Sequence, residues 1–190
     1  PLLGLALGWT LMTAIAWIFR HRDRPSSARG FRSAQTVSAA AMAFGHGMQD
    51  AAKVSGVVVL ALMASGNRPS HGTDIPLWVV GLSGLAMSIG TYAGGWRIMR
   101  TLGSRIVPLT PPQGFAAETA AAITLAIATA LRAPISTTYT ITSGIIGVGT
   151  ATNSRAVRWD VGRDILTAWL LTLPGAALAA AASAWLFALA

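Results

Sequence analysis

The sequence has no cysteine and few charged residues: only 11% of its 190 residues are charged, and six of those are acidic. Soluble domains carry about 25% charged residues, so this chain has too few to cover a globular surface in water. The lack of cysteine excludes a disulfide-stapled module and a zinc site built on thiolates. With 53% hydrophobic residues, the composition also excludes a disordered chain.

The fourteen basic residues are concentrated between apolar segments. Eleven of them fall into three clusters, at 20–32, 97–105 and 155–163. Arginines that flank apolar segments mark the cytoplasmic side of a membrane protein and contact lipid headgroups. Since no basic helix face with interleaved aromatics is present, we expect no nucleic-acid binding despite the net charge of +8. The sequence predicts a multi-pass protein of the cell membrane, in bacteria the inner membrane.

The apolar segments predict an all-α integral membrane fold. Gly45 and Gly47 next to Asp50 favour a broken helix, because glycines beside polar groups distort membrane helices. Pro134 interrupts a later helix, and the hydroxyl-rich arm after it, 135–150, is about 24 Å long, which is short of a bilayer core. We expect a transmembrane helix at 1–19, a basic cytoplasmic loop at 20–33, a broken helix at 34–64, a helix at 75–97, a re-entrant helical hairpin at 114–150 and a final helix at 164–189. This layout leaves eleven arginines on the cytoplasmic side and Arg68 outside.

Few titratable side chains lie inside the apolar segments, and they are His46, Asp50, Lys53 and Glu118, with Arg132 at the predicted hairpin tip. A charge at mid-bilayer costs at least about 2.5 kcal/mol, so such residues face a cavity or a partner. His46, Asp50 and Lys53 share one helix face. Gln49 and Asp50 offer the oxygens that a hard cation prefers. The alternative is an Asp50–Lys53 pair that only neutralises itself while docking helices.

The segment after Pro134 begins with Ser136, Thr137 and Thr138. A helix that starts after a break exposes free N–H groups and the positive end of its dipole, which suits an anion. The alternative is that Ser136 only caps the helix. We interpret the later hydroxyls and glycines as packing residues: Thr140, Thr142, Ser143, Gly144, Gly147 and Gly149.

Several blocks of the sequence resemble the inorganic phosphate transporter (PiT) family. They are Met42–Lys53 (MAFGHGMQDAAK) with Gly56, Pro108–Glu118 (PLTPPQGFAAE), Ala133–Thr138 (APISTT), Gly144–Gly149 (GIIGVG), Arg155–Trp159 (RAVRW) and Ala168–Pro174 (AWLLTLP). The blocks occur in the family's order from about Ser33 to Ala190 and correspond to its C-terminal half. Two positions depart from the usual pattern: Gln49 replaces an Asn, and Ala52 replaces a Gln.

The resemblance implies the second inverted repeat of a secondary transporter, in which residues 1–19 are the last transmembrane helix of the preceding half. The implied function is cation-coupled symport of inorganic phosphate by a low-affinity permease, with no enzymatic activity and no cofactor besides the coupling ion, Na⁺ or H⁺. Phosphate-binding residues would be Ser136, Thr137, Thr138, Gln49 and Lys53. Cation coupling would involve Asp50, Glu118, Gln49 and His46, with Na⁺ at Asp50 and Glu118.

The chain opens inside an apolar run without an initiator Met, so we expect a piece of a longer protein. Expected partners are phosphate (free or as a metal–phosphate complex), Na⁺ or H⁺, membrane lipids, the N-terminal half of the transporter and a second copy in a homodimer. Two alternatives are a permease for sulfate or another oxyanion, and a membrane-embedded serine hydrolase that uses Ser83 and His46.

Overall fold

The computed structural model describes residues 1–21, 24–66 and 75–188, which form helices and turns without strands. The chain divides into two compact units, Pro1–Val157 and Arg158–Ala190. The helices of the first unit are α1 (Leu2–Ile18), α2 (Arg24–Ala64), α3 (Leu77–Arg100), α4 (Pro111–Ala130) and α5 (Thr137–Asn153). A π-helical turn, Thr101–Arg105, extends α3, and a 3₁₀ turn, Ser154–Ala156, follows α5. The second unit consists mainly of α6 (Trp159–Ala188).

Glycines let α1 lie directly against α5. A Cβ added to Gly8 would collide with the carbonyl oxygen of Gly144, and one added to Gly147 would collide with that of Leu5. Small residues allow such close backbone approach in membrane helix pairs. The helix expected to belong to a preceding half therefore packs inside this unit, along the helices of the predicted hairpin.

Helices α4 and α5 form a hairpin. A reciprocal cap opens α4, where the Thr110 backbone N–H donates to Gln113 Oε1 at 2.8 Å. Gln113 Nε2 also donates to Thr152 Oγ1 at 3.2 Å, so the start of α4 lies beside the end of α5. Small and aliphatic side chains of the two helices make up much of the buried core: Ala116, Ala117, Ala120, Ala121, Leu125, Ile145 and Val148.

Helices α2 and α4 pack side by side and run in the same direction. Ser38 contacts Glu118, and Gln49 contacts Thr129, which is an offset of 80 residues in both pairs. Because the offset is constant over eleven residues, each step along α2 is matched by a step along α4. The tip of the hairpin, 131–136, therefore lies beside the middle of α2.

The structure corrects two expectations about α2. The helix is continuous from Arg24 to Ala64, so the predicted break within 34–64 is wrong, and so is the loop predicted for 24–33. Pro25 occupies the first turn of the helix, where its missing N–H is tolerated. The polar side chains in mid-helix are paired laterally with other side chains, so their presence does not require an opened backbone.

The remaining boundaries differ by a few residues from the expected ones. The helix expected at 75–97 extends to Arg100, the final helix begins at Trp159 instead of 164, and the hairpin helices cover 111–153 instead of 114–150. Residues 22–23, 67–74 and 189–190, which include the predicted outside Arg68, lie outside the described residues.

Among the described residues, three helical segments are long and apolar enough to cross a bilayer: Arg29–Ala64, Leu77–Arg105 and Trp159–Leu186. Helix α1 is apolar but has only 17 residues. The hairpin helices α4 and α5 do not meet this criterion. The arrangement agrees with an all-α membrane protein in which the hairpin differs from the spanning helices.

Candidate functional site

Asp50 is held by two residues of its own helix. Its Oδ1 lies 2.7 Å from Lys53 Nζ, and its Oδ2 lies 3.0 Å from His46 Nε2. The i+3 and i+4 spacing places all three side chains on one face of α2, as predicted. The Asp50 side chain is 21% exposed, so the pair is partly buried. The structure therefore contains the Asp50–Lys53 pair that the self-neutralising alternative requires.

Gln49 joins α2 to the end of α4. Its Nε2 donates to Thr129 Oγ1 at 2.9 Å, and the side chain is buried. The Thr129 hydroxyl in turn donates to the Leu125 carbonyl oxygen at 2.8 Å. Because only one N–H of the amide is used in this bond, the second N–H and the carbonyl oxygen of Gln49 remain available to a ligand.

A cavity of about 510 Å³ lies where the middle of α2 meets the end of α4 and the hairpin tip. Its polar and charged lining comes from Gln49, Lys53, Thr129 and Arg132, and its apolar lining comes from Met48, Ala52, Ala128, Ala133 and Pro134. A concave, mostly apolar site with a few convergent polar groups is typical of small-ligand binding. Two of the predicted phosphate-binding residues, Gln49 and Lys53, therefore line the same cavity as the hairpin tip.

Arg132 forms the turn that closes α4. Its N–H donates to Thr129 O at 3.0 Å, while the N–H of Ala133 donates to Ala128 O at 2.8 Å. These two bonds form a Schellman motif, whose C′ position requires a left-handed backbone and usually contains glycine. Arg132 has φ 53°, the one positive φ of a non-glycine residue in the described chain. A left-handed conformation costs a residue with a Cβ about 1 kcal/mol.

The hydroxyls after Pro134 begin α5 but do not line this cavity. Ser136 is the N-cap of α5, and its Oγ accepts from the Tyr139 backbone N–H at 3.4 Å. Thr137 is buried and Thr138 is exposed. The geometry supports the capping role of Ser136, while binding of an anion by Ser136, Thr137 and Thr138 stays a prediction. Thr140, Thr142 and Ser143 are buried, in agreement with a packing role.

Glu118 lies at the other end of the α2–α4 contact. Ser38 Oγ donates to its Oε2 at 2.7 Å, and Gln35 Nε2 donates to its Oε1 at 3.4 Å. Ser38 is buried, and its hydroxyl also approaches the Gln35 carbonyl oxygen at 3.0 Å. Glu118 is therefore surrounded by neutral groups from the neighbouring helix.

The structure does not bring Asp50 and Glu118 together. Ser38, the partner of Glu118, precedes Asp50 by twelve residues on α2, which corresponds to about 18 Å along the helix. Among the described residues, no three His, Cys, Asp or Glu side chains cluster in a way that could hold a metal ion. The two carboxylates therefore lie apart in this chain, and the predicted coupling role of each is considered separately.

Sequence reasoning missed several residues of these sites. Thr129, Ser38 and Gln35 lie in stretches without a recognisable motif, and only the α2–α4 register places them beside Gln49 and Glu118. Arg132 was placed at the tip but was given no role as a ligand. The sequence signal for such a role is its position where a helix ends next to Pro134.

The sequence of residues 5–180 matches the phosphate transporter family. A probable low-affinity inorganic phosphate transporter of Rhizobium meliloti is 44% identical over 181 residues, which cover 95% of this chain and 54% of that protein. A protein of the same description in Bacillus subtilis is 34% identical, with 92% of this chain and 52% of that protein covered. The chain spans about half the length of these curated relatives.

The fold is similar to that of a solved structure described as the sodium-dependent phosphate transporter. The TM-score is 0.70 at 24% identity, and the match covers 90% of this chain and 51% of that one.

The sequence and fold define a multi-pass, all-α membrane protein. This chain belongs to the phosphate transporter family. Since the members of that family are transporters and not enzymes, the predicted absence of enzymatic activity is confirmed and the serine hydrolase alternative is set aside. The apolar helices and the bacterial relatives agree with a location in the bacterial cell membrane.

Proposed function

We propose that this chain forms one half of a symporter that carries inorganic phosphate through the cell membrane together with Na⁺ or H⁺. The observation that carries the proposal is the cavity in which the hairpin tip meets the middle of α2. Gln49, Lys53, Thr129 and Arg132 line it, and α2 is apolar enough to cross the bilayer. Polar groups at such a depth are typical of a substrate path.

The register of α2 and α4 supports a hairpin that re-enters the membrane. Thr129 at the end of α4 lies beside Gln49, and α2 continues for another fifteen residues to Ala64, or about 22 Å. The tip therefore ends well short of the far end of the spanning helix. Non-helical backbone at membrane depth is tolerated where it is buried in protein or lines a cavity, and Ala133 and Pro134 line one.

The chemistry of the cavity suits an oxyanion. Lys53 and Arg132 are cationic, and the amide of Gln49 has a second N–H that can donate. Ser136, Thr137 and Thr138 begin the next helix, whose free N–H groups favour negative charge. We propose that phosphate is bound by Lys53 and Gln49 from α2 and by Ser136, Thr137 and Thr138 from α5.

Glu118 is the stronger of the two candidate cation ligands. Ser38 Oγ at 2.7 Å supplies a second oxygen, and within the described residues no cationic side chain pairs with the carboxylate. Hard cations prefer oxygen ligands. We propose that Glu118 binds the coupling cation or its proton equivalent, and that Asp50, Gln49 and His46 contribute at the cavity end.

Coupling between cation and phosphate would follow from the α2–α4 contact, because Glu118 lies at one end of this contact and the cavity lies at the other. If a cation at Glu118 strengthens the packing of α4 on α2, it also fixes Thr129 and the tip around the anion. Linkage then requires that phosphate raises the affinity for the cation by the same factor. The half-length match further implies that a second half completes both sites, and a homodimer of the whole transporter is part of the same proposal.

The proposal is tested with the full-length protein in proteoliposomes of anionic lipid. Uptake of radiolabelled phosphate is measured under an inward Na⁺ gradient, an inward H⁺ gradient and neither. We expect accumulation under one of the gradients and none without. Uptake of sulfate in preference to phosphate would replace the proposed substrate, and uptake that ignores both gradients would exclude symport.

A further inference from the structure

Arg132 differs from the other cation of the cavity because its charge has no partner. Lys53 donates to Asp50 at 2.7 Å, so its charge is already compensated within α2. The Arg132 guanidinium has neither an ion pair nor a hydrogen bond to any residue that the structure describes. The Lys53–Asp50 pair contributes no net charge to the cavity, and Arg132 contributes one positive charge.

Arg132 also stands where the backbone favours a different residue. At φ 53° it occupies the C′ position of the Schellman motif that ends α4. Glycine is the usual residue there, since it adopts this conformation without strain. Turn geometry therefore does not account for an arginine at this position, and the side chain has to be explained by what it contacts.

The geometry points to Arg132 as the residue that gives the cavity its affinity for tetrahedral oxyanions. This inference rests on the proposed function and adds a specificity-determining residue to it. A guanidinium presents N–H groups in a planar fork that matches two oxygens of a tetrahedral oxyanion, which an ammonium group cannot do. Lys53, tied to Asp50, then completes the site as a donor.

The position of Arg132 also suits reversible binding of an anion. Arg132 lies in the connection between α4 and α5. The backbone N–H groups of residues 131–133 in this connection donate to carbonyl oxygens at the end of α4. Its anchor is therefore rigid, while its side chain is exposed. An exposed cation on a fixed backbone can meet an incoming anion before the anion reaches Lys53 and Gln49, which lie on the neighbouring helix.

The inference predicts opposite effects of one substitution on stability and on affinity. Arg132→Gly relieves the left-handed strain, so we expect the Tm of the full-length protein to rise by about 1–2 °C. The same change removes the guanidinium, so we expect the phosphate concentration that gives half-maximal uptake to rise about tenfold or more. The maximal rate should change much less, because residues that hold the cation are untouched.

Two further variants separate charge from shape. Asparagine adopts the left-handed backbone readily and has no charge, so Arg132→Asn should have the same half-saturation for uptake as Arg132→Gly. Arg132→Lys keeps the charge but loses the fork, so its half-saturation should lie between that of the unchanged protein and that of Arg132→Gly. Arg158→Gln, which removes an exposed arginine of the second unit, serves as the matched control and should leave uptake unchanged.

The outcomes distinguish this inference from the proposed function. Gradient-driven phosphate uptake by the unchanged protein, with the same half-saturation in Arg132→Gly and Arg132→Asn, would overturn the role of Arg132 and leave the transport proposal standing. Absence of phosphate and sulfate uptake in the unchanged protein would overturn both. A raised half-saturation in both neutral variants, with a Tm no lower than that of the unchanged protein, is the expected result.

Discussion

The two carboxylates that α2 and α4 carry inside apolar segments are stabilised in different ways. Asp50 pairs with Lys53 and His46 of its own helix, at 2.7 and 3.0 Å. Glu118 has only neutral donors, Ser38 and Gln35, from the neighbouring helix. One carboxylate is compensated by local charge, and the other depends on the packing of two helices.

This difference separates a structural charge from one that is available to a ligand. Losing one member of a partly buried ion pair leaves the other charge uncompensated, so Asp50 contributes to stability whether or not it binds a cation. A partly buried carboxylate that contacts only neutral donors has no counter-charge within the described residues, so a bound cation can supply one. We therefore expect Glu118 to dominate coupling and Asp50 to dominate the local fold.

The largest effect on transport is expected from Glu118→Gln. The amide keeps the shape and the contact with Ser38 but loses the charge, and we expect cation-driven uptake to fall about 100-fold, since charge interactions at an effective dielectric constant of about 20 are worth several kcal/mol. Gradient-driven uptake in proteoliposomes is the measurement. Asp160→Asn, on the exposed start of α6, is the control. Uptake within threefold of the unchanged protein would refute a coupling role for Glu118.

The next effect concerns stability and should have opposite signs at the two carboxylates. Asp50→Asn leaves Lys53 without its partner, and we expect a loss of about 1 kcal/mol, because both side chains are partly exposed. Glu118→Gln should leave stability unchanged or raise it. Thermal unfolding in detergent measures both. The double variant Asp50→Asn with Lys53→Gln should regain the lost stability; no regain would mean that the pair does not stabilise the fold.

An effect of comparable size, on cation affinity, is expected when Glu118 loses its hydroxyl partner. Ser38→Ala removes the donor at 2.7 Å, and we expect the cation concentration for half-maximal uptake to rise about fivefold, equivalent to about 1 kcal/mol. The measurement is uptake against cation concentration at fixed phosphate. Ser88→Ala, which removes only an exposed bond to Gly84 O within α3, is the control. Equal half-saturation in both variants would contradict a role for Ser38 in the cation site.

An effect of the same size is expected from Thr129→Val, which breaks the bond between α2 and α4 at the cavity. Gln49 Nε2 would lose its partner in a buried position, and we expect about 1 kcal/mol less stability than in Thr124→Val. Thr124 is the matched control because its hydroxyl bonds only to Ala120 O of its own helix. Equal unfolding temperatures for the two variants would show that the Gln49 bond contributes nothing.

Much of this protein could be predicted from its sequence. Apolar run lengths and flanking arginines predicted the membrane class and the helices near 1–19, 75–97 and 164–189, with boundaries within a few residues. The i, i+3 and i+4 spacing predicted that His46, Asp50 and Lys53 share a face. These inferences succeed because hydropathy and helical periodicity are properties of short segments and need no information about neighbours.

The failures occur where a segment depends on its surroundings. Gly45 and Gly47 beside Asp50 suggested a broken helix, but α2 is continuous, and the polar side chains there pair with one another. The sequence predicts cation coupling at both Asp50 and Glu118, but only the α2–α4 register shows that they lie about 18 Å apart along the helix. No local pattern encodes that register.

What the sequence determined by itself is the set of apolar helices, the polar residues placed inside them and the side of the membrane that the arginines favour. What only the tertiary structure decided is which of those polar residues meet. Parallel packing at an offset of 80 residues pairs Gln49 with Thr129 and Ser38 with Glu118. The physical reason is that composition and periodicity act within a helix, whereas contacts between helices depend on the shape of two surfaces at once.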